Sequence, residues 1–234
     1  MSRLKLQSMG ASRVVMFTAI GTHGPVLSPI AGLILDLILL TAAAVLLLEP
    51  KRRSQGDMLV LTAVVIGVSL SRVLMAGIPN VQFVTIASLL VGARLGARRG
   101  AAFAILVAVL SNYFLGDGWW TIFQAIGWAS VAVIGSYANL WSNNSLDLKK
   151  TCYLAFVSAF MFDFIVSLSI IESSTSLLGF IAYLWAGIPY DLLHAVGNVT
   201  FALWFAEWFV NKLEISEVPT IEEAIIADLD STQA

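Results

Sequence analysis

PVLSPIAGLILDLILLTAAAVLLLE, Pro25 to Glu49, followed at once by Pro50-Lys51-Arg52-Arg53, is the stretch on which the fold turns. About 20 mostly apolar residues carry a helix across a bilayer core of about 30 Å, and a basic cluster marks where such a helix leaves the hydrocarbon. Similar runs follow at Met58–Ala76, Val81–Leu95, Ala101–Leu110, Trp120–Tyr137, Cys152–Ile171 and Tyr190–Val210, which makes seven candidate spans. Leu177–Ile188 is apolar but too brief to cross, and reads as a re-entrant or lid-like segment packed on protein.

Composition agrees. Hydrophobic residues make up 59% of the 234 positions and charged ones only 12%, about half of what a soluble domain carries, and mean hydropathy is +0.87. The reading is an all-α integral membrane protein. Its net charge of -2 is small and gives no argument for nucleic-acid binding. Cys152 is the only cysteine, which excludes an internal disulfide and reads as a packing residue.

Charge placement orients the bundle, because short loops rich in Lys and Arg stay cytoplasmic. Lys51, Arg52, Arg53, Arg94, Arg98, Arg99, Lys149, Lys150 and Lys212 fall on one side of the alternation, against Arg3, Lys5 and Arg13 on the other. Loops 77–81, 111–119 and 172–189 then face outward, and the C-terminus lies inside. Residues 1–24, with a basic start and a brief apolar stretch at 14–20, keep an unassigned topology. Residues 211–234, with Glu214, Glu217, Glu222, Glu223, Asp228 and Asp230, read as an acidic cytoplasmic tail.

Several chemistries are missing. Gly92 to Gly100 lacks the lysine and hydroxyl of a phosphate-binding loop, so the chain does not hydrolyse ATP by that route. There is no G-x-S-x-G elbow, H-E-x-x-H pair or aspartate-rich box, and His23 and His194 stand alone. The sequence points away from an enzyme, a metal site or a bound cofactor.

Polar and aromatic residues collect near the outer helix ends. Trp120, Gln124 and Trp128 recur every four residues, one helical stripe suited to stacking on a flat ligand or to an interfacial aromatic belt. Asp191, His194 and Asn198 share one face of the last span, and such a face avoids lipid unless it meets protein, water or ligand. Arg72, Asp163 and Asp36 are ionisable residues inside apolar spans. Two readings of Arg72 stand: it binds an anionic ligand group, or it neutralises Asp163. Asp36 reads as a helix-packing or partner contact. Ala63, Gly67 and Ser71 recur every four residues and suit close approach of another helix.

The small-residue stripe, the loop from Gly77-Ile78-Pro79-Asn80 to Gln82, the loop Ser111-Asn112-Tyr113-Phe114-Leu115-Gly116-Asp117-Gly118-Trp119-Trp120-Thr121, and Gly187-Ile188-Pro189-Tyr190-Asp191 through Asn198 together resemble the substrate-binding S component of an energy-coupling factor (ECF) transporter. The resemblance covers residues 58–210 as a six-helix domain and leaves 25–50 as an extra N-terminal membrane helix. It implies uptake of a vitamin or related micronutrient into a prokaryotic cell across its plasma membrane. It also implies a transmembrane coupling subunit and two ATPase subunits as partners. Ligand would be captured between the outer loops, with Trp120 and Trp128 stacking. Asn80, Gln82, Asn112, Gln124 and Asn198 would hydrogen-bond, and Arg72, Asp191 and His194 would set charge preference. Ala63, Gly67 and Ser71 would line the coupling interface. The aromatic outer region suggests a ring-bearing ligand such as a flavin or corrinoid. The rival readings are a proton-coupled secondary transporter working through Asp163, His194 and Asp191, and a scaffold or membrane enzyme.

Overall fold

The computed structural model describes residues 17–21, 24–48, 55–142, 145–171 and 175–213. Seven α-helices account for most of them: α1 Pro29–Leu47, α2 Gln55–Leu74, α3 Val84–Leu95, α4 Ala97–Leu115, α5 Trp120–Tyr137, α6 Leu148–Ser167 and α7 Leu177–Lys212. A short hairpin, β1 Phe17–Gly21 with β2 Gly24–Leu27, precedes α1, and a second, β3 Trp141–Ser142 with β4 Ser145–Leu146, joins α5 to α6. The N-terminal stretch left unassigned above thus contributes a hairpin. Its Lys and Arg residues lie outside the described residues, as do Lys51–Arg53 and the acidic tail beyond Leu213.

Local chemistry starts the helices where the sequence offers a cap. Ser28 accepts from the Ala31 N–H ahead of Pro29, Asp147 from Lys150, and Ser176 from Gly179. Such caps satisfy N–H groups that no helical turn can reach. Four helices are long and apolar enough to cross a membrane: α1, α4, α6 extended to Ile170, and α7. By length and composition the chain is an α-helical membrane protein.

At the centre stands α3, with every residue from Val84 to Gly92 buried. Its 12 residues span only about 18 Å, less than the hydrocarbon thickness, so its place is inside a ring of longer helices rather than against lipid. It packs on α4, α5, α6 and α7. The α3–α5 contact is backbone against backbone. A Cβ on Gly92 would sit 1.9 Å from the Ala132 carbonyl oxygen, and one on Gly135 would sit 2.0 Å from that of Leu89. Small residues permit this approach, which is how helices in lipid gain packing energy. Helices α1 and α2 both lean on α4.

Two boundaries stand out against the sequence reading. The segment Leu177–Ile188 is not a separate re-entrant element, because α7 is continuous through Pro189 for 36 residues. A proline in a helix loses one backbone bond and crowds the preceding turn, yet the helix runs on through exposed Pro189. At about 54 Å, α7 exceeds the bilayer core. The fourth span extends to Leu115 rather than Leu110, and Ser111 and Asn112 therefore sit on a helix rather than in a loop.

Candidate functional site

Apart from Arg72, the described basic side chains gather at one end of the bundle. There Arg98 donates to the Val45 and Leu48 carbonyls at 3.2 Å, capping the C-terminus of α1, Lys150 reaches the Asn139 carbonyl, and Arg94 lies over Trp141. The site candidates lie toward the opposite end, where α2 and α4 finish and α3 and α5 begin.

Arg72 is the hub. It occupies the last turn of α2 on the same stripe as Leu61, Val65 and Val68, all facing inward, and is 8% exposed. Its Nε donates to Gln82 Oε1 at 2.9 Å, and its Nη1 donates to Ser111 Oγ and Asn112 Oδ1, both at 2.6 Å. Asn112 Nδ2 donates in turn to Thr121 Oγ1 at 2.7 Å and Gln124 Oε1 at 2.8 Å, and Thr121 donates to Asp117. Four elements are thereby tied together by neutral amides and hydroxyls around one guanidinium.

A second polar chain crosses the bundle beside it. Trp128 Nε1 donates to Thr85 Oγ1 at 3.1 Å; Thr85 Oγ1 lies 2.8 Å from His194 Nε2; and His194 Nδ1 lies 2.8 Å from Asp163 Oδ2. An indole nitrogen only donates, so Thr85 accepts there, and its own proton is available to Nε2. The remaining imidazole proton then points from Nδ1 to Asp163. This assignment satisfies every member with a neutral ring. Trp128 joins the two chains: its indole is fully buried, stacks on Phe162 with centroids 4.6 Å apart, and carries Arg72 Cζ 5.0 Å from its own centroid.

Arg72 and Asp163 therefore do not pair. Asp163 belongs to His194, and Arg72 to Gln82, Ser111 and Asn112. The structure brings together Arg72, Gln82, Asn112, Gln124 and Trp128 in the cluster, with His194 joined to it through Thr85. Asn198 is buried on the same helix as His194, donating to the Ala155 carbonyl while its Oδ1 has no partner among the described residues. Asn80 holds the turn before α3 at a φ of 55°, a conformation asparagine tolerates. Trp120 is half-buried with its ring against Gly118, apart from the sealed Trp128. Asp191 lies away from the Arg72 cluster, lining an open groove of about 340 Å³ with Phe160, Phe164, Ile181, Leu184, Trp185 and Ile188.

Sequence reasoning passed over Thr85 and took in Ser111 and Thr121 only as members of a loop, without a role for either. A hydroxyl in an apolar run gives no signal, because it can bond its own helix backbone, as Thr62 does to Met58. Among the described residues no group of three or more His, Cys, Asp and Glu side chains is placed to hold a metal ion. On α2 the candidate docking stripe faces out: Ala63 and Gly67 are exposed, Ser71 is half-buried, and a Cβ on Gly67 would meet nothing within 4 Å.

No protein-family model matches the chain, and neither a curated protein nor a solved structure is significantly similar to it.

Proposed function

We propose that this chain is the substrate-binding membrane subunit of an ATP-driven ECF-type importer, with six helices from α2 to α7 as the binding domain and α1 as an addition. The observation that carries the reading is the polar cluster around Arg72. Burying a guanidinium in an apolar bundle costs several kcal/mol unless it is used, on the order of 2.5 kcal/mol or more even on insertion scales. Helix ends, amides and indoles converge on it, the mixture of apolar wall and few orienting polar groups that small-molecule sites use. The cluster lies opposite the basic end, which the positive-inside rule assigns to the cytoplasm, so ligand would enter from outside and the C-terminus would lie inside a plasma membrane.

Two further features support the assignment. The sequence has no phosphate-binding loop, so an ATP-driven importer would need partners to hydrolyse ATP, for which a coupling subunit and two ATPases are proposed. The outward face of α2, with Ala63, Gly67 and Ser71, offers a surface where a partner helix can come close. The substrate would be a vitamin or related micronutrient. The affinity-tagged chain, expressed in its own host, should co-purify with ATPase subunits.

The Asp163–His194–Thr85 chain favours a second reading, a carrier driven by protons, because intramembrane Asp and His chains relay protons in pumps. Such a carrier would purify alone and move substrate in sealed vesicles under a pH gradient without ATP, and that result would replace the importer assignment.

A further inference from the structure

The cluster contains an unbalanced positive charge. Every acceptor of Arg72 is neutral, and among the described residues no carboxylate lies within 4.0 Å of its guanidinium. Nη2 has no hydrogen-bond partner among those residues, yet it is not one of the side-chain atoms sealed from solvent. It is the one nitrogen of the guanidinium left to offer outward.

Helix ends add to this charge. Helices α3 and α5 both begin at the cluster, with Gln82 just ahead of the first turn of α3 and Gln124 in the second turn of α5. Neither has a side-chain cap, since Phe83 and Trp119 stand at the N-cap positions. Each of these N-termini brings about half a positive charge, although in α5 the Thr121 N–H is already taken by the Gly118 carbonyl. The C-termini of α2 and α4 bring about the same negative charge to the same end, so the helix dipoles roughly cancel and the guanidinium is left over. Asp117 is also at this end, but it accepts from Thr121 and connects to Arg72 only through Thr121 and Asn112.

From this we infer that the site takes an oxyanion: its ligand is a small organic acid, a carboxylate or phosphate monoester, held by Arg72 Nη2. A buried cation with a spare donor discriminates against cationic ligands and gains little from neutral ones. The inference rests on the cluster being the substrate site, and it narrows that reading from micronutrients in general to acidic ones.

The test uses the full chain purified in neutral detergent and, separately, in nanodiscs of phosphatidylcholine. Thermal-shift titrations compare acetate, benzoate and inorganic phosphate with acetamide and benzamide, which match the acids in size and lack the charge. The acid of at least one pair should bind about tenfold or more tightly than its amide, the margin of one charge-assisted hydrogen bond, and phosphate should bind saturably. Arg72→Lys should keep part of this preference and Arg72→Gln should lose it. The comparison within the wild-type protein stands even if Arg72→Gln does not fold. Equal affinity for acids and amides, tighter binding of amides, or no saturable binding would overturn the inference. So would stabilisation by phosphatidylglycerol in nanodiscs with none by soluble anions, which would make the cluster a lipid contact. Co-purification of ATPases, measured on the same preparation, tests the importer reading independently of ligand charge.

Discussion

His194 Nδ1 and Asp163 Oδ2 lie 2.8 Å apart, joining α7 to α6 across 31 positions of sequence, with the imidazole wholly buried. Removing Asp163 leaves the Nδ1–H of a buried, neutral imidazole without an acceptor, which costs about 1 to 3 kcal/mol. Asp163→Ala should therefore lower the midpoint of thermal unfolding in detergent sharply. Asp163→Asn, whose amide oxygen still accepts from Nδ1–H, should cost far less. Equal loss in both variants would mean that charge, not the hydrogen bond, holds α6 to α7.

Asn112 is the joint between Arg72 and α5, through one accepted and two donated bonds. Asn112→Ala should destabilise by about 1 to 3 kcal/mol by leaving those groups unsatisfied. Asn112→Asp is the more telling variant: it sets a carboxylate against Arg72, while Gln124 can turn its amide to donate instead. Its unfolding temperature should hold or rise while acid binding falls at least about tenfold. Retained acid binding in a folded Asn112→Asp protein would count against a role for the Arg72 charge.

The two tryptophans of the α5 stripe should separate by assay. Trp128→Phe keeps a ring between Phe162 and Arg72 but deletes the bond to Thr85, and should cost about 1 to 2 kcal/mol of stability. Trp120→Ala should instead weaken ligand binding by about 1 to 3 kcal/mol, if half-buried Trp120 stacks as bases do on aromatic platforms. Ligand titration and unfolding of both variants decide between this division and an indole serving only the membrane interface.

Glycines of α2 and α3 should differ in tolerance. Gly92→Ala drives a methyl into the Ala132 carbonyl and should prevent folding or force α3 and α5 apart, at a cost of about 1 to 3 kcal/mol or more. Gly67→Ala meets open space and should leave stability unchanged. Gly67→Leu then tests the docking surface: uptake and ATPase co-purification should vanish with ligand affinity intact. Loss of ligand affinity as well would assign Gly67 to the bundle's own packing.

The sequence by itself determined the all-α class and the order of seven helices, because long apolar runs leave few alternatives, while only four of the seven expected spans are long and apolar enough to cross a membrane. It also marked Arg72, Asp163 and His194, since ionisable groups in such runs need a reason to be there. Trp120–Tyr137 was legible to the residue because a Gly-rich turn precedes it and a polar turn follows. Tertiary structure alone decided which marked groups meet. Arg72 answers to Gln82, Ser111 and Asn112 because α2 leans on α4, while Asp163 answers to His194 because α6 packs on α7. Spacing along a chain carries no information about which helices become neighbours. The continuity of α7 through Pro189 was equally hidden, because a proline removes one backbone hydrogen bond locally, and whether the helix ends there or runs on depends on the bonds of the turns to either side.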